Sequence, residues 1–416
     1  MTKNKYLFPF IMITSLFFMW GFVHNLDPIL IPHLKRSFSL STLEASLVDS
    51  AVFIAYFVMA LPAGFIMKKY GYKTGIILGL ALFAIGSFLF IPAAYTQAYV
   101  FFLGALFIIA CGLTILETAA NPYASLLGPP ETATFRLNFA QSFNGLAATA
   151  APIIGAKIIL IEGMSDEKLS KMTASAREFA LASEASSVKT PYLVLGSIIL
   201  VIAIIFVFLK LPEIVETEEP GDKATDHTIW DALKHKHLRW AVLAQFFYVG
   251  AQVCVFSFFI LYATKVAEID QQKAAGYAGI GMGLAFLIGR VLGTFLMKFI
   301  KAERLLAIYS VASMVLCIVA IISHGTVALF AVIGIAFFMS IMFPTIFSLG
   351  IKDLGKDTKF GSSLIIMSIV GGAVLPPAMG YITDIADIQV GYVVPLICFA
   401  VVFLFGITGH KVVKRT

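Results

Sequence analysis

"ETAANPYASLLG", Glu117 to Gly128, has a counterpart later in the chain, "MSIMFPTIFSLG", Met339 to Gly350. Pro122 matches Pro344, and a glycine follows six residues after each. Two further pairs keep the same order. "FFMWG" (Phe17 to Gly21) pairs with "FFYVG" (Phe246 to Gly250), and "GFIMKKYGYK" (Gly64 to Lys73) with "GTFLMKFIKA" (Gly293 to Ala302). One such match means little. Three at corresponding places imply a duplicated unit, which in a membrane chain predicts a substrate site near the midplane between two related halves.

Composition sets the environment. Of 416 residues, 59% are hydrophobic and 13% charged, with a mean hydropathy of +0.92. A soluble chain of this size cannot hide so much apolar surface, so the class is a polytopic membrane protein. Crossing a bilayer as a helix takes about 20 apolar residues. Runs of that kind occur at about 6–34, 44–67, 74–94, 98–127, 135–161, 191–210, 239–266, 272–299, 304–323, 325–351, 360–383 and 389–411. The fold predicted is all-α, with about twelve transmembrane helices in two pseudo-symmetric six-helix halves. The N-terminal run lacks a small-x-small cleavage site and reads as an uncleaved first span.

The polar stretch "LPEIVETEEPGDKATDHTIWDALKHKHLRW", Leu211 to Trp240, separates the two sets of runs. It divides the chain into a half at 1–210, a linker at 211–238 and a half at 239–416. Its end, "IWDALKHKHLRW", reads as a short amphipathic helix on the membrane surface. The formal net charge of +6 is no nucleic-acid signal, because the basic residues sit in short segments between apolar runs. Lys3 and Lys5, Lys68, Lys69 and Lys73, Lys298, Lys301 and Arg304, Lys352, Lys356 and Lys359, and the C-terminal Lys411, Lys414 and Arg415 fall on one side. That bias places both termini and the linker in the cytoplasm. The cysteines, Cys111, Cys254, Cys317 and Cys398, lie far apart inside apolar runs and read as small hydrophobes. No metal or cofactor motif stands out, no Walker-type GxxxxGK[ST] occurs, and no nucleophile motif suggests an enzyme.

Glu117 lies well inside the fourth run. A carboxylate at that depth is costly and usually functional. Thr114, Glu117, Thr118 and Asn121 fall on one helical stripe. In "RLNFAQSFN" the amides of Asn138, Gln141 and Asn144 share a face, and amides both donate to and accept from hydroxyls. Gln141 and Asn144 read as substrate contacts, Asn138 as helix-to-helix glue. Gln252 is a lone amide in the seventh run. Trp20, Tyr56, Tyr123, Phe247 and Tyr248 are aromatic candidates for packing on a ring-shaped ligand. In "GFVHNLDPILIPHL" (Gly21 to Leu34), Trp20, His24 and Asp27 lie at i, i+4 and i+7 on one face, with Asn25 beside them, and Pro28 loosens the helix there. The plainer reading makes Asp27 the cap of a broken helix end. Asp49 is a vestibule residue or a solvated helix end, and Arg136 a structural residue at the start of its span. Arg290 and Lys157 read as snorkelling or paired cations near span ends.

"GFIMKKYGYK" is similar to the loop 2–3 motif of the major facilitator superfamily. "LETAANPYASLLG", "FRLNFAQSFN", "HNLDPILIPHL", "YVGAQV" and "FMSIMFPTIFSLG" together resemble the fucose:proton symporter family over nearly the whole chain. The resemblance implies import of a hexose-type sugar, driven in most members by protons. It implies proton coupling by Glu117 and by an acid in the first segment, and sugar contacts by Glu117 and around Gln252. With these, Trp20, His24, Asn25, Asn121, Gln141 and Asn144 make up the expected sugar site. The family pattern there reads Asn-Leu-Asn-Asp-Ile; here it reads Asn-Leu-Asp-Pro-Ile, so Asp27 stands one place early. Sodium coupling, uncoupled exchange and a membrane sugar sensor are the other readings. The expected setting is the bacterial inner membrane, with a monomeric protein in the lipid bilayer, a sugar and protons as partners, and no cofactor.

Overall fold

In the computed structural model, residues 6–26, 30, 34, 37–38, 42–96, 98–158, 171–212 and 228–412 are described. Helices account for the secondary structure among them. A helix satisfies its backbone N–H and C=O groups within one segment, which is what a bilayer demands.

Among the described residues, ten helical segments are long and apolar enough to cross a membrane. One of them covers two crossings. The helix Thr42–Phe88 is interrupted at Gly71, where φ is 80° and ψ 170°. A further helix, Ala133–Ile158, matches its neighbours in length but is more polar, because it carries Arg136, Asn138, Gln141, Ser142 and Asn144. The result is twelve spans: α1 (Leu7–His24), α2 (42–70), α3 (72–96), α4 (Tyr99–Leu126), α5 (Ala133–Ile158), α6 (Lys189–Phe208), α7 (Lys236–Ser257), α8 (Gln271–Leu296), α9 (Ala302–Ile322), α10 (Gly325–Gly350), α11 (Gly355–Ile385) and α12 (Ile388–Gly409).

Three boundaries differ from the sequence reading, each for a local reason. α1 stops at His24, not near Leu34, and the Asn25 amide donates to the Gly21 carbonyl at 2.7 Å to close its last turn. α7 breaks at Phe258 and resumes as Phe259–Lys265. The amphipathic helix expected at the end of the linker is a single turn, Ile229–Ala232, closed by a capping box of Thr228 and Asp231. Hydrogen bonds from Lys234 and Thr228 hold the exposed Asp231 carboxyl well below the usual carboxylate range. Lys236 onward already belongs to α7. His235 and His237 pin that helix start to the α10–α11 turn, through Asp357 at 3.0 Å and the Lys352 carbonyl at 2.8 Å.

The first six and last six helices meet most closely at the ends that adjoin the α2–α3 and α10–α11 turns. Thr134 and Ser348 hydroxyls lie 2.9 Å apart, and Asn138 Nδ2 donates to Thr345 Oγ1 at 3.2 Å. Phe65 and Phe360 rings meet edge-on at 5.0 Å, and the Lys359 ammonium lies 5.4 Å from the Tyr72 ring.

Gly71 separates α2 from α3 through backbone conformation alone, since an added Cβ would meet nothing within 4 Å. Non-glycine residues in that region cost about 1–3 kcal/mol. Gly71→Ala is therefore expected to destabilise the protein by about that amount in thermal unfolding. Gly104→Ala, a helical site equally free of neighbours, should be neutral or slightly stabilising. Equal behaviour of the two would show that the α2–α3 turn is not held by Gly71.

Candidate functional site

The two matched prolines build the region. A proline lacks the N–H that would bond four residues back. Pro122 thus frees the Thr118 carbonyl of α4, and Pro344 the Ser340 carbonyl of α10. Both carbonyls find donors elsewhere. Ser362 Oγ of α11 donates to Thr118 O at 2.7 Å. Arg290 of α8 donates its Nε to Ser340 O at 2.8 Å, and its Nη1 to the Gln141 carbonyl of α5, also at 2.8 Å. The guanidinium lies 4.5 Å from the Phe286 ring.

Arg290 therefore corrects the sequence reading. It neither snorkels nor pairs with a carboxylate among the described residues. It is 3% exposed and ties α5 to the broken part of α10. Sequence position gives depth along a helix but not the neighbours, and the freed carbonyl that attracts this side chain is invisible until Pro344 is placed beside α8.

Glu117 is 8% exposed. The Tyr56 hydroxyl of α2 donates to its Oε1 at 2.6 Å. Such a bond to a charged group contributes about 1.5–3 kcal/mol. The exposed ring of His24 stands edge-on to the Tyr56 ring, centroids 6.5 Å apart. One turn beyond Glu117, Asn121 accepts from Gln141 Nε2 at 3.2 Å. The Asn121 Nδ2 is buried with no hydrogen-bond partner among the described residues. A buried donor left unmet costs about 1–3 kcal/mol, so this amide is poised for an acceptor. Asn144 packs against Gly21, where an added Cβ would lie 2.7 Å from its Nδ2. The Asn25 side chain is bonded to the same glycine's carbonyl.

The other candidates sort by their contacts. Asn138 bridges α5 to α10 and is glue, as read from the sequence. Arg136 donates to the Ala124, Ser125 and Pro129 carbonyls and so caps the end of α4. Trp20 is buried against Phe17, ring centroids 4.2 Å apart. Gln252 is half-buried in α7 and takes no part in the amide cluster's hydrogen bonds among the described residues. Tyr123 donates to the Pro212 carbonyl at 2.8 Å, at the start of the linker, and is not a ring-stacking platform. Thr114 and Thr118 bond back to the Ala110 and Thr114 carbonyls, so their hydroxyls do not serve Glu117. The partner that does, Tyr56, was legible only as an aromatic. Asp27 lies outside the described residues, as do the side chains of Asp49 and Lys157.

A family model for the Major Facilitator Superfamily matches residues 10–366. The chain belongs to that superfamily. It is 42% identical to the L-fucose-proton symporter of Escherichia coli (strain K12) over 409 residues, covering 97% of this chain and 93% of the relative. It is 39% identical to the glucose/galactose transporter of Brucella abortus (strain 2308), covering 99% and 96%. A crystal structure of the E. coli fucose:proton symporter superposes with a TM-score of 0.89 at 40% identity, covering 99% of this chain and 100% of that one. A second crystal structure, of a superfamily transporter in the outward conformation, gives 0.90 at 41% identity with the same coverage. Within the superfamily, the chain falls in the fucose:proton symporter family.

Arg290→Ala leaves the Ser340 and Gln141 carbonyls without their donor. With charged hydrogen bonds contributing about 1.5–3 kcal/mol each, thermal unfolding should report a loss of about 3 kcal/mol or more. A snorkelling cation would change stability by no more than about 0.5 kcal/mol, and that outcome would remove Arg290 from the helix contact described.

Proposed function

We propose that the protein imports a hexose-type sugar together with protons, by alternating access, as a secondary active transporter and not as an enzyme. The observation that carries this reading is a buried carboxylate, Glu117, held by a neutral hydroxyl and set one turn from the Asn121–Gln141 amide pair. A carboxylate without a cationic partner can take up and release a proton as its surroundings change. Amides beside it can exchange hydrogen bonds with sugar hydroxyls. The relatives named for fucose–proton symport and for glucose or galactose transport support the same chemistry.

In this reading Gln141, Asn144, Asn121 and Asn25 form the sugar-binding wall, with Gln252, Trp20 and His24 as further contacts. Glu117 and Asp27 are the proton-linked acids. Asp27 is proposed from its sequence position and the family resemblance. The exposed His24 ring, the Tyr56 hydroxyl and Glu117 lie in a row that a proton from the open side meets in that order. Residues 1–210 and 239–416 act as the two rocking halves, joined by a linker at 211–238. The protein works as a monomer in the bacterial inner membrane, with both termini in the cytoplasm. The contacts gathered at the Lys68 to Lys73 and Lys352 to Lys359 end close the cytoplasmic side, which agrees with the likeness to a transporter in the outward conformation.

Uptake of labelled fucose, glucose and galactose into proteoliposomes tests the reading, with and without an imposed pH gradient. The parent protein should accumulate one of them only with the gradient. Glu117→Gln should abolish accumulation while sugar binding persists, because the amide mimics the protonated acid's hydrogen bonding. Gln141→Ala should weaken binding by about 5- to 150-fold, the equivalent of about 1–3 kcal/mol. Accumulation driven by a sodium gradient alone would replace protons with sodium. Binding without flux would make the protein a sensor.

Topology has its own test. The native cysteines are buried, so single replacements Ser175→Cys and Thr228→Cys report cleanly. An impermeant maleimide added to intact cells should label position 175 and not position 228. The reverse pattern would invert the proposed orientation.

A further inference from the structure

A groove of about 740 Å³ runs along the side of the molecule between α1, α5 and α6. Leu7, Ile11 and Phe18 form one wall, Phe139 and Phe143 the other, and Ile202 closes the back. Its volume lies within the ~300–1,000 Å³ of pockets that take small-molecule ligands. Its walls are apolar, and Leu7, Ile11, Phe139 and Phe143 remain exposed. No helix among the described residues fills it, and the setting of such a face is the bilayer.

One end of the groove is charged. Arg136 lines it. Its donors go to neutral carbonyls, and Glu131 lies close enough to act on its charge. Beside it stands Phe135, and 5.5 Å from the Phe135 ring lies the ammonium of Lys298, which belongs to the other set of six helices. Lys298 also lies 5.5 Å from the Phe295 ring and is exposed. Among the described residues no carboxylate is within ion-pair distance of it. An apolar slot with such an ammonium beside its charged end, across the ring of the lining Phe135, suits a lipid with a negative headgroup.

We propose that this groove binds one anionic phospholipid, with an acyl chain between α1 and α5 and its phosphate against Lys298. Such a lipid touches both sets of helices at the end where they meet. It therefore binds more tightly to this arrangement than to one in which α5 and the end of α8 have separated, and it shifts the population toward the arrangement described.

The test uses the full-length protein in detergent. Dioleoyl phosphatidylglycerol or dioleoyl phosphatidylcholine is titrated in, with thermal unfolding and native mass spectrometry as readouts. Phosphatidylglycerol should raise the unfolding temperature and remain bound as one molecule, and phosphatidylcholine should do so at least five-fold less effectively. Lys298→Ala should raise the phosphatidylglycerol needed at least five-fold. Ser15→Trp, which fills the groove from α1, should abolish retention. Lys69→Ala, a cation at the same end but outside the groove, should behave as the parent. Equal effects of the two lipids, a Lys298→Ala protein that matches the parent, or retention undiminished in Ser15→Trp would each overturn the proposal.

Discussion

A carbonyl set free inside a membrane must find another donor. Pro122 and Pro344 each free one, and the answers to that demand organise the centre of the molecule. Ser362 reaches from α11 to Thr118. Arg290 reaches from α8 to Ser340, with an arm left over for Gln141. The first contact fixes the segment of α4 that carries Glu117 and Asn121. The second fixes the turn of α5 that carries Gln141. The residues that hold the two sets of helices together are thus covalent neighbours of the residues proposed to face the ligand, or contact them directly. A change in how the sets meet cannot leave the site unchanged.

The site itself is lopsided. Its acid and its linked amides come from α4 and α5, with Tyr56 from α2, while Gln252 of α7 takes no part in their hydrogen bonds among the described residues. Such a division suits a carrier that must let go. In the proposed reading, one wall supplies the polar contacts that recognise a ligand, and the other can move away without breaking many of them. The unmet Nδ2 of Asn121 fits the same logic, because a fully satisfied polar cluster would gain nothing from a ligand.

Much of this was legible in the chain. Apolar run length gave the spans to within a few residues for most helices, since a bilayer imposes the same length on each. The burial of Glu117 was legible from its depth in the fourth run, and the paired motifs around Pro122 and Pro344 pointed to a duplicated architecture. What stayed hidden was anything set by packing between distant segments. Tyr56 lies 61 positions from Glu117, and nothing near either marks them as partners. Thr114 and Thr118 share the stripe of Glu117, yet their hydroxyls turn back onto their own helix, a local competition that helical periodicity does not register. The linker's amphipathic pattern ran into α7 because His235 and His237 anchor the spanning helix early.

Glu117 and Arg290 are opposite charges buried inside the helices, and Arg290 keeps its proton throughout. In the symport reading, an ionised Glu117 and this guanidinium sum to zero, so this pair gives a transmembrane voltage little to grip in the empty carrier. A proton on Glu117 leaves a net positive charge. Carried the full distance, that charge feels about 2.3 kcal/mol per 100 mV. A membrane negative on the inside therefore pulls the loaded carrier inward and leaves the return of the empty one unopposed; the proton makes the two legs of the cycle electrically unlike, and the fixed cation on α8 decides which of them carries the charge.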